Sequence, residues 1–488
     1  MKHRYPIISI LLGAMLLAGC SAQTETTASG SAEVEKTAAV TAENTITLTG
    51  TGASTASKNV TVDGSVITIT GAGTYEISGT LDDGMVIVDA GDEDDVNLVL
   101  NGADITSGTS AAIYVANCGD AAVTLAAGSE NSLSNGGTFT AIDESSIDAV
   151  IFSKEDLLLT GDGSLTIDSP AGHGVVSKDD LTVESGTYTV TAASHGMTGK
   201  DALLVSGGDL TITAGKDGLH AKNDEDDSLG NLTISGGTVT ITAEDDGVHA
   251  SGDTVISAGT VTIADSYEGI EGETITISGG AITVNAQDDG LNAAGGSDES
   301  GAESFFGGNP FEVDENASIT ISGGTLHLSA NGDGIDSNGS ITMTGGQVFV
   351  SGPTNAGNGA LDYGSTATIT GGTIVAAGAS GMAENFTSAE NQGVMLVSTG
   401  AQSAGSAVTL TDESGSVLLT WEPDKAYECV IISTPDVQQG GTYTLTAGSS
   451  TQTVTMTSAV YGGGMGMGQM PQNGQMGGMP QGGGMGRP

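Results

Sequence analysis

The sequence predicts an all-β protein wound as a parallel β-helix of about 22 residues per coil. Three observations predict it. Eight twelve-residue segments superpose without gaps, starting at Leu181, Leu203, Leu232, Thr254, Ile275, Ile319, Ile341 and Ala367. Within them Val, Ile or Leu alternates with polar residues on both sides of a small-residue bend, as in LTISGGTVTITA from Leu232. That is the period-two signature of strands with one face in and one face out. Between segments recurs a shorter motif of an acid or histidine, a Gly and an apolar residue, as at His173, His195, Asp217, Asp246, Glu268, Asp289 and Asp333. Three short strands per repeat, with apolar positions stacked from coil to coil, build a continuous core. A β-roll of nonapeptides needs a period of nine, which this chain lacks.

The composition fits such a core. Among 488 residues, 78 are Gly and 9 are Pro, and aromatics make up 3%. Lys+Arg is 11 against Asp+Glu 60, a formal net charge of −49. A polyanion repels nucleic acid and anionic membrane, so nucleic acid is excluded as a partner and soluble cations are favoured. The charged fraction is only 15%, and the strict alternation argues for folding rather than disorder.

The elements follow in chain order. Residues 1–19 carry Lys2, His3 and Arg4 before an apolar run from Ile7 to Ala18, too short to span a bilayer and suited to export. The ending Leu17-Ala18-Gly19-Cys20 resembles the lipobox of bacterial lipoproteins, implying cleavage before Cys20 and a lipid on its thiol. Residues 20–42 are small and polar, a flexible tether. The solenoid occupies 43–400, with less regular spacing in its first coils. Its repeat starts lie 21 to 29 residues apart, except for a 44-residue step from Ile275 to Ile319 that contains a long insert bearing Phe305, Phe306 and Phe311. Residues 401–460 read as antiparallel strands and form a small β cap over the open end, holding the sole Trp, Trp421. Residues 461–488 are Gly, Met, Gln and Pro and are expected to be disordered. Cys118 and Cys429 have no metal or redox spacing; export permits a disulfide between them, and two buried thiols fit equally.

Equal repeat positions stack, so chemistry is read down columns. The position before the motif Gly holds His173, His195, Asp217, Asp246, Glu268, Asp289 and Asp333, and Asp245 and Asp288 double it. Two positions after that Gly come His220, His249, Glu271, Asn292, Asp336 and Asp362. Two carboxylates about 5 Å apart repel by roughly 1 kcal/mol in water and roughly 3 kcal/mol at an effective dielectric of 20. A column of them survives by splaying into solvent, protonating or binding cations. Clustered carboxylate oxygens suit Ca²⁺. A second column, Lys178, Lys200 and Lys222, is spaced 22 and 22. It reads as a compensated charge ladder or as a basic strip that grips an acidic sugar.

GAGTYEISGTL, VNLVLNGADI, the repeated DDG motif with SGG and TI, the coil GALDYGS and the closing IISTPDVQQGGTYTLTAG carry a resemblance. Together they resemble the bacterial carbohydrate-binding domain family, typified by a clostridial surface protein that binds cellulose and pectin-type polysaccharide. The resemblance spans roughly residues 43–460. It implies a right-handed parallel β-helix with bound calcium, similar to polysaccharide lyases but acting mostly in binding. The calcium candidates are Asp217, Asp245, Asp246, Glu268, Glu271, Asp288, Asp289, Asp333 and Asp336. A flat aromatic strip for crystalline cellulose is not evident in the sequence.

The expectation is a membrane-anchored lipoprotein facing the cell surface that binds plant cell-wall-type, pectin-like polysaccharide through calcium, with Lys178, Lys200 and Lys222 on the sugar. The alternatives are a calcium-dependent pectate lyase, with Lys222 or Lys216 as base, and a structural adhesin. No Arg lies between residues 5 and 486, so a lyase base would have to be Lys. No protein partner is inferable.

Overall fold

The computed structural model describes residues 44–140, 142–143, 145–293 and 313–463, all within one compact unit, Ala42–Pro488. The lipobox with Cys20, the tether, the insert phenylalanines and nearly all of the tail lie outside the described residues.

Among the described residues every regular element is a strand. Each repeat contributes three. In one repeat they are Ala202–Val205, Asp209–Ala214 and Leu219–Ala221; in the next, Asn231–Ile234, Thr238–Ala243 and Val248–Ala250. Corresponding strands pair in parallel without slippage: Leu203 opposite Leu232, Ile212 opposite Ile241, Leu219 opposite Val248. The result is three parallel ladders. The third forms a 13-stranded sheet of its own, and the first two merge into a 28-stranded sheet. They merge because Val96–Ser107 is long enough to pair Ala121–Leu125 with its first half and Glu130–Asn135 with its second.

Alternation sets what is buried. In Asp209–Ala214, Leu210, Ile212 and Ala214 are buried while Asp209, Thr211 and Thr213 are exposed. The inward residues of all three ladders form one long cluster from Ile46 to Ile431. The bend between the first two ladders is set by glycine: Gly208, Gly237 and Gly259 have φ of +85°, +79° and +91°, which residues with a Cβ resist.

The corner from third to first ladder absorbs length. Gly199 is followed by Ala202, Ala250 by Asp253 and Ser337 by Ser340, but Ala221 by Asn231 and Ala293 by Ser318. The flanking coils stay paired across both insertions, Leu203 with Leu232 and Ile275 with Ile319. The 44-residue step is therefore one coil with an enlarged corner.

The expected cap is present as an antiparallel sheet of Val417–Trp421, Val408–Asp412, Thr442–Ala447 and Ser450–Thr455. Its boundary with the solenoid is not a cut at residue 400. Gly393–Gln402 crosses that point, and Tyr427–Thr434 returns to pair antiparallel with both Thr373–Gly378 and Gly393–Gln402. The last parallel edge is covered by this returning strand. Ile374 and Ala376 face the main core, while Val375 and Ala377 face a second core shared with the cap. Cys118 lies in the main core and Cys429 in the returning strand, both as free thiols.

Candidate functional site

The site lies where each coil enters the third ladder. The motif glycines fix it by close backbone approach: a Cβ on Gly196 would lie 2.6 Å from the Gly218 carbonyl oxygen, and one on Gly218 would lie 2.7 Å from that of Gly247. The Gly196 and Gly218 N–H groups donate to the carbonyls of Asp217 and Asp246, each 2.9 Å away. Each coil thus holds the acid of the next at a set height. The tight bend at the Gly also brings the residue before it and the residue two after it to one side, so the two columns read from the sequence are a single column in space.

Its first half is built of imidazoles. His173, His195, His220 and His249 stack in succession, with centroids 4.9, 4.0 and 5.1 Å apart and planes within 9°, 25° and 12°. Carboxylates line one edge of the stack. Asp217 Oδ2 lies 3.0 Å from His195 Nδ1 and 2.6 Å from His220 Nδ1. His249 Nδ1 lies 2.5 Å from Glu271 Oε2 and 3.3 Å from Asp246 Oδ2. Burial pushes Asp217 up, but the hydrogen bonds and charge of His195 and His220 outweigh it and hold the carboxyl well below the usual range. Burial lowers His220 to about 4. His249 is raised to about 10, because Asp246 and Glu271 overcome the effect of its burial.

The second half is nearly all carboxylate. Asp289, Asp333 and Asp336 bring oxygens within 4.8 Å of one another, as do Asp217, Asp245 and Asp246. Asp289 Oδ1 accepts the Asp333 N–H at 2.5 Å, and Asp333 Oδ1 accepts the Gly359 N–H. Burial first, then neighbouring carboxylates, pushes Asp289 up to about 9 and Asp336 well above its ordinary value. Burial also raises Asp333 to about 7 and Glu268 to about 9. Glu268 accepts a hydrogen bond from Asn292 Nδ2 at 2.7 Å. Asp288 lies at the rim, half-buried. Four buried atoms on the column have no hydrogen-bond partner: His173 Nδ1, Asp246 Oδ1, His249 Nε2 and Asn292 Oδ1.

Lys178 Nζ sits 5.3 Å from the centroid of the Phe152 ring, and Lys200 Nζ pairs with Glu225 Oε2 at 2.8 Å. Lys216 and Lys222 flank Asp217 and His220 in the chain. Sequence reasoning gave the histidines little weight. Their signal was present, as four of six histidines fall either just before the motif Gly or two residues after it. Outside the column, His327 stacks on Phe349 at 4.9 Å, and Phe349 meets Trp421 at 5.9 Å.

The fold and column define a class, an all-β solenoid with carboxylates and imidazoles stacked on one ladder. A model of the family described as carbohydrate-binding domain-containing protein matches residues 63–304. A curated protein of the same description from Acetivibrio thermocellus is 34% identical over 128 residues, covering 26% of this chain and 45% of the relative, so the chain spans less than half that relative's length. A solved structure described as the polysaccharide lyase-like protein from C. thermocellum, gadolinium derivative, aligns with a TM-score of 0.44 at 30% identity, covering 49% of this chain and 92% of that one.

Proposed function

We infer that the chain binds an acidic, pectin-like polysaccharide through calcium held on the third ladder. The observation that carries this reading is the convergence of Asp289, Asp333 and Asp336 within 4.8 Å. Ca²⁺ takes six to eight oxygens at about 2.3–2.6 Å, so three carboxylates leave positions for water and for the carboxylates of a uronic acid chain. The match of residues 63–304 to the carbohydrate-binding family model supports the sugar ligand. The net charge of −49 supports the cation bridge, since a polyanionic protein and a polyanionic glycan repel without one. The winding is read as a right-handed parallel β-helix, tethered through Cys20 to the membrane and facing outward; the lipobox-like ending supports that placement.

Affinity electrophoresis through polygalacturonate, with calcium and with chelator, tests the reading. Retardation in calcium alone is the expected result. Equal migration in both lanes would remove acidic glycan as the ligand. Release of unsaturated oligosaccharide would select a lyase, with Lys216 or Lys222 as the base beside Asp217.

A further inference from the structure

We propose that the histidine half of the column is a separate site for a borderline transition-metal ion of the Zn²⁺ class, ligated by His195, Asp217 and His220. Imidazole nitrogen is a donor that Ca²⁺ uses poorly and that Zn²⁺, Ni²⁺ and Cu²⁺ use well. Two imidazole Nδ1 atoms converge on one carboxylate oxygen here, at 3.0 and 2.6 Å. Tetrahedral Zn²⁺ with ligands at about 2.0–2.1 Å spaces them about 3.3 Å apart, so Asp217 Oδ2 parts from His195 Nδ1 by about 0.3 Å and from His220 Nδ1 by about 0.7 Å.

A second observation points to a cation beside Asp217, in the adjoining cluster that shares its carboxylate. Asp246 is 2% exposed, and its Oδ1 has no hydrogen-bond partner. It belongs to the oxygen cluster with Asp217 and Asp245, and its own N–H donates to Asp217 Oδ1 at 3.1 Å. A buried carboxylate oxygen left unsatisfied is costly, and a cation shared with Asp217 removes that cost. His195 retains 12% of its side-chain exposure, which leaves the ion a route in. The neighbouring rings, His173 on one side and His249 on the other, sandwich the imidazole pair and hold its planes nearly parallel. The donor set differs from the all-oxygen cluster of Asp289, Asp333 and Asp336, so one column sorts two kinds of cation by position.

The test is calorimetric titration of the chelator-treated full chain with ZnCl₂ alone and with CaCl₂ alone, with the visible spectrum of added Co²⁺ as a coordination readout. The expected result is one zinc equivalent that excess calcium does not displace, weakened at least about tenfold in H195Q and H220Q. D336N is expected to keep the zinc site while losing calcium. Because H220Q removes a buried ring and can fail to fold, H195Q, at the rim, decides. No zinc uptake, displacement by calcium, or unchanged zinc affinity in H195Q would overturn the proposal. Calcium-dependent retardation in polygalacturonate surviving such a failure would leave the glycan reading standing.

Discussion

The ring of His195 lies over that of His220, 4.0 Å between centroids, and the Nδ1 atoms of both face the same oxygen of Asp217. The two histidines hold different places in their repeats, one before the motif Gly and the other two after it. Asp217 is therefore the hinge of the imidazole stack. In chelator, D217N is expected to lower stability by about 2 kcal/mol, since hydrogen bonds to a charged group are worth about 1.5–3 kcal/mol. Urea denaturation measures it.

The carboxylate half responds with the opposite sign. Asp336 is half-buried beside Asp289 and Asp333, and without a cation its desolvation and then their mutual repulsion oppose folding. D336N is expected to raise the melting temperature in chelator and to abolish the further rise that calcium gives the unsubstituted chain. A calcium response of full size in D336N would show that the ion binds elsewhere.

Away from the column, burial and then the Asp156 and Asp201 carboxylates push Asp179 up to about 6. Its unfolded value is about 3.9. Asp179 therefore contributes stability fully below about pH 4, and loses it as pH rises through about 6. D179N is expected to melt above the unsubstituted chain at about pH 8 and to lose that advantage at about pH 4. The half-exposed position keeps the difference small.

Gly237 sits at φ +79°, and a Cβ there would lie 2.7 Å from the Gly208 carbonyl oxygen. G237A meets both backbone strain and a backbone clash, and is expected to cost about 2–4 kcal/mol. Ser235, exposed in the same bend, offers a control whose substitution by Ala should fall within about 0.5 kcal/mol.

Burial raises the Cys118 thiol to about 12 and the Cys429 thiol to about 11. Neither forms a thiolate readily. Both are expected to resist a thiol reagent in the native chain and to react in strong urea. Prompt reaction of either would show that its core opens locally.

The ladders were legible in the sequence because alternation and the Gly bend repeat with the coil: Leu203, Leu232, Ile275 and Ile319 pair where superposition of the repeats places them. The acid column was legible for the same reason. What was not legible was the merging of two motif positions. Asp217 and His220 are three apart, and alternation alone sends them to opposite faces; the bend at Gly218 brings them within 2.6 Å. The return of Tyr427–Thr434 into the long sheet was also hidden, since an antiparallel partner leaves no repeat to find. The fates of Lys178 and Lys200 depend on the Phe152 ring and on Glu225, contacts that the lysine spacing does not reveal.

The corner between third and first ladder gives the chain a natural place for domestication. One residue added inside a ladder would turn every later side chain of that strand to the wrong face. At the corner, two residues, nine or twenty-four between strands leave the coils on either side in the same register. The nine-residue version already reaches back to hold Lys200 through Glu225. The winding thus serves as a jig with one exchangeable jaw per turn. Foreign loops grafted there would meet the same neighbouring face without disturbing the coils that support them.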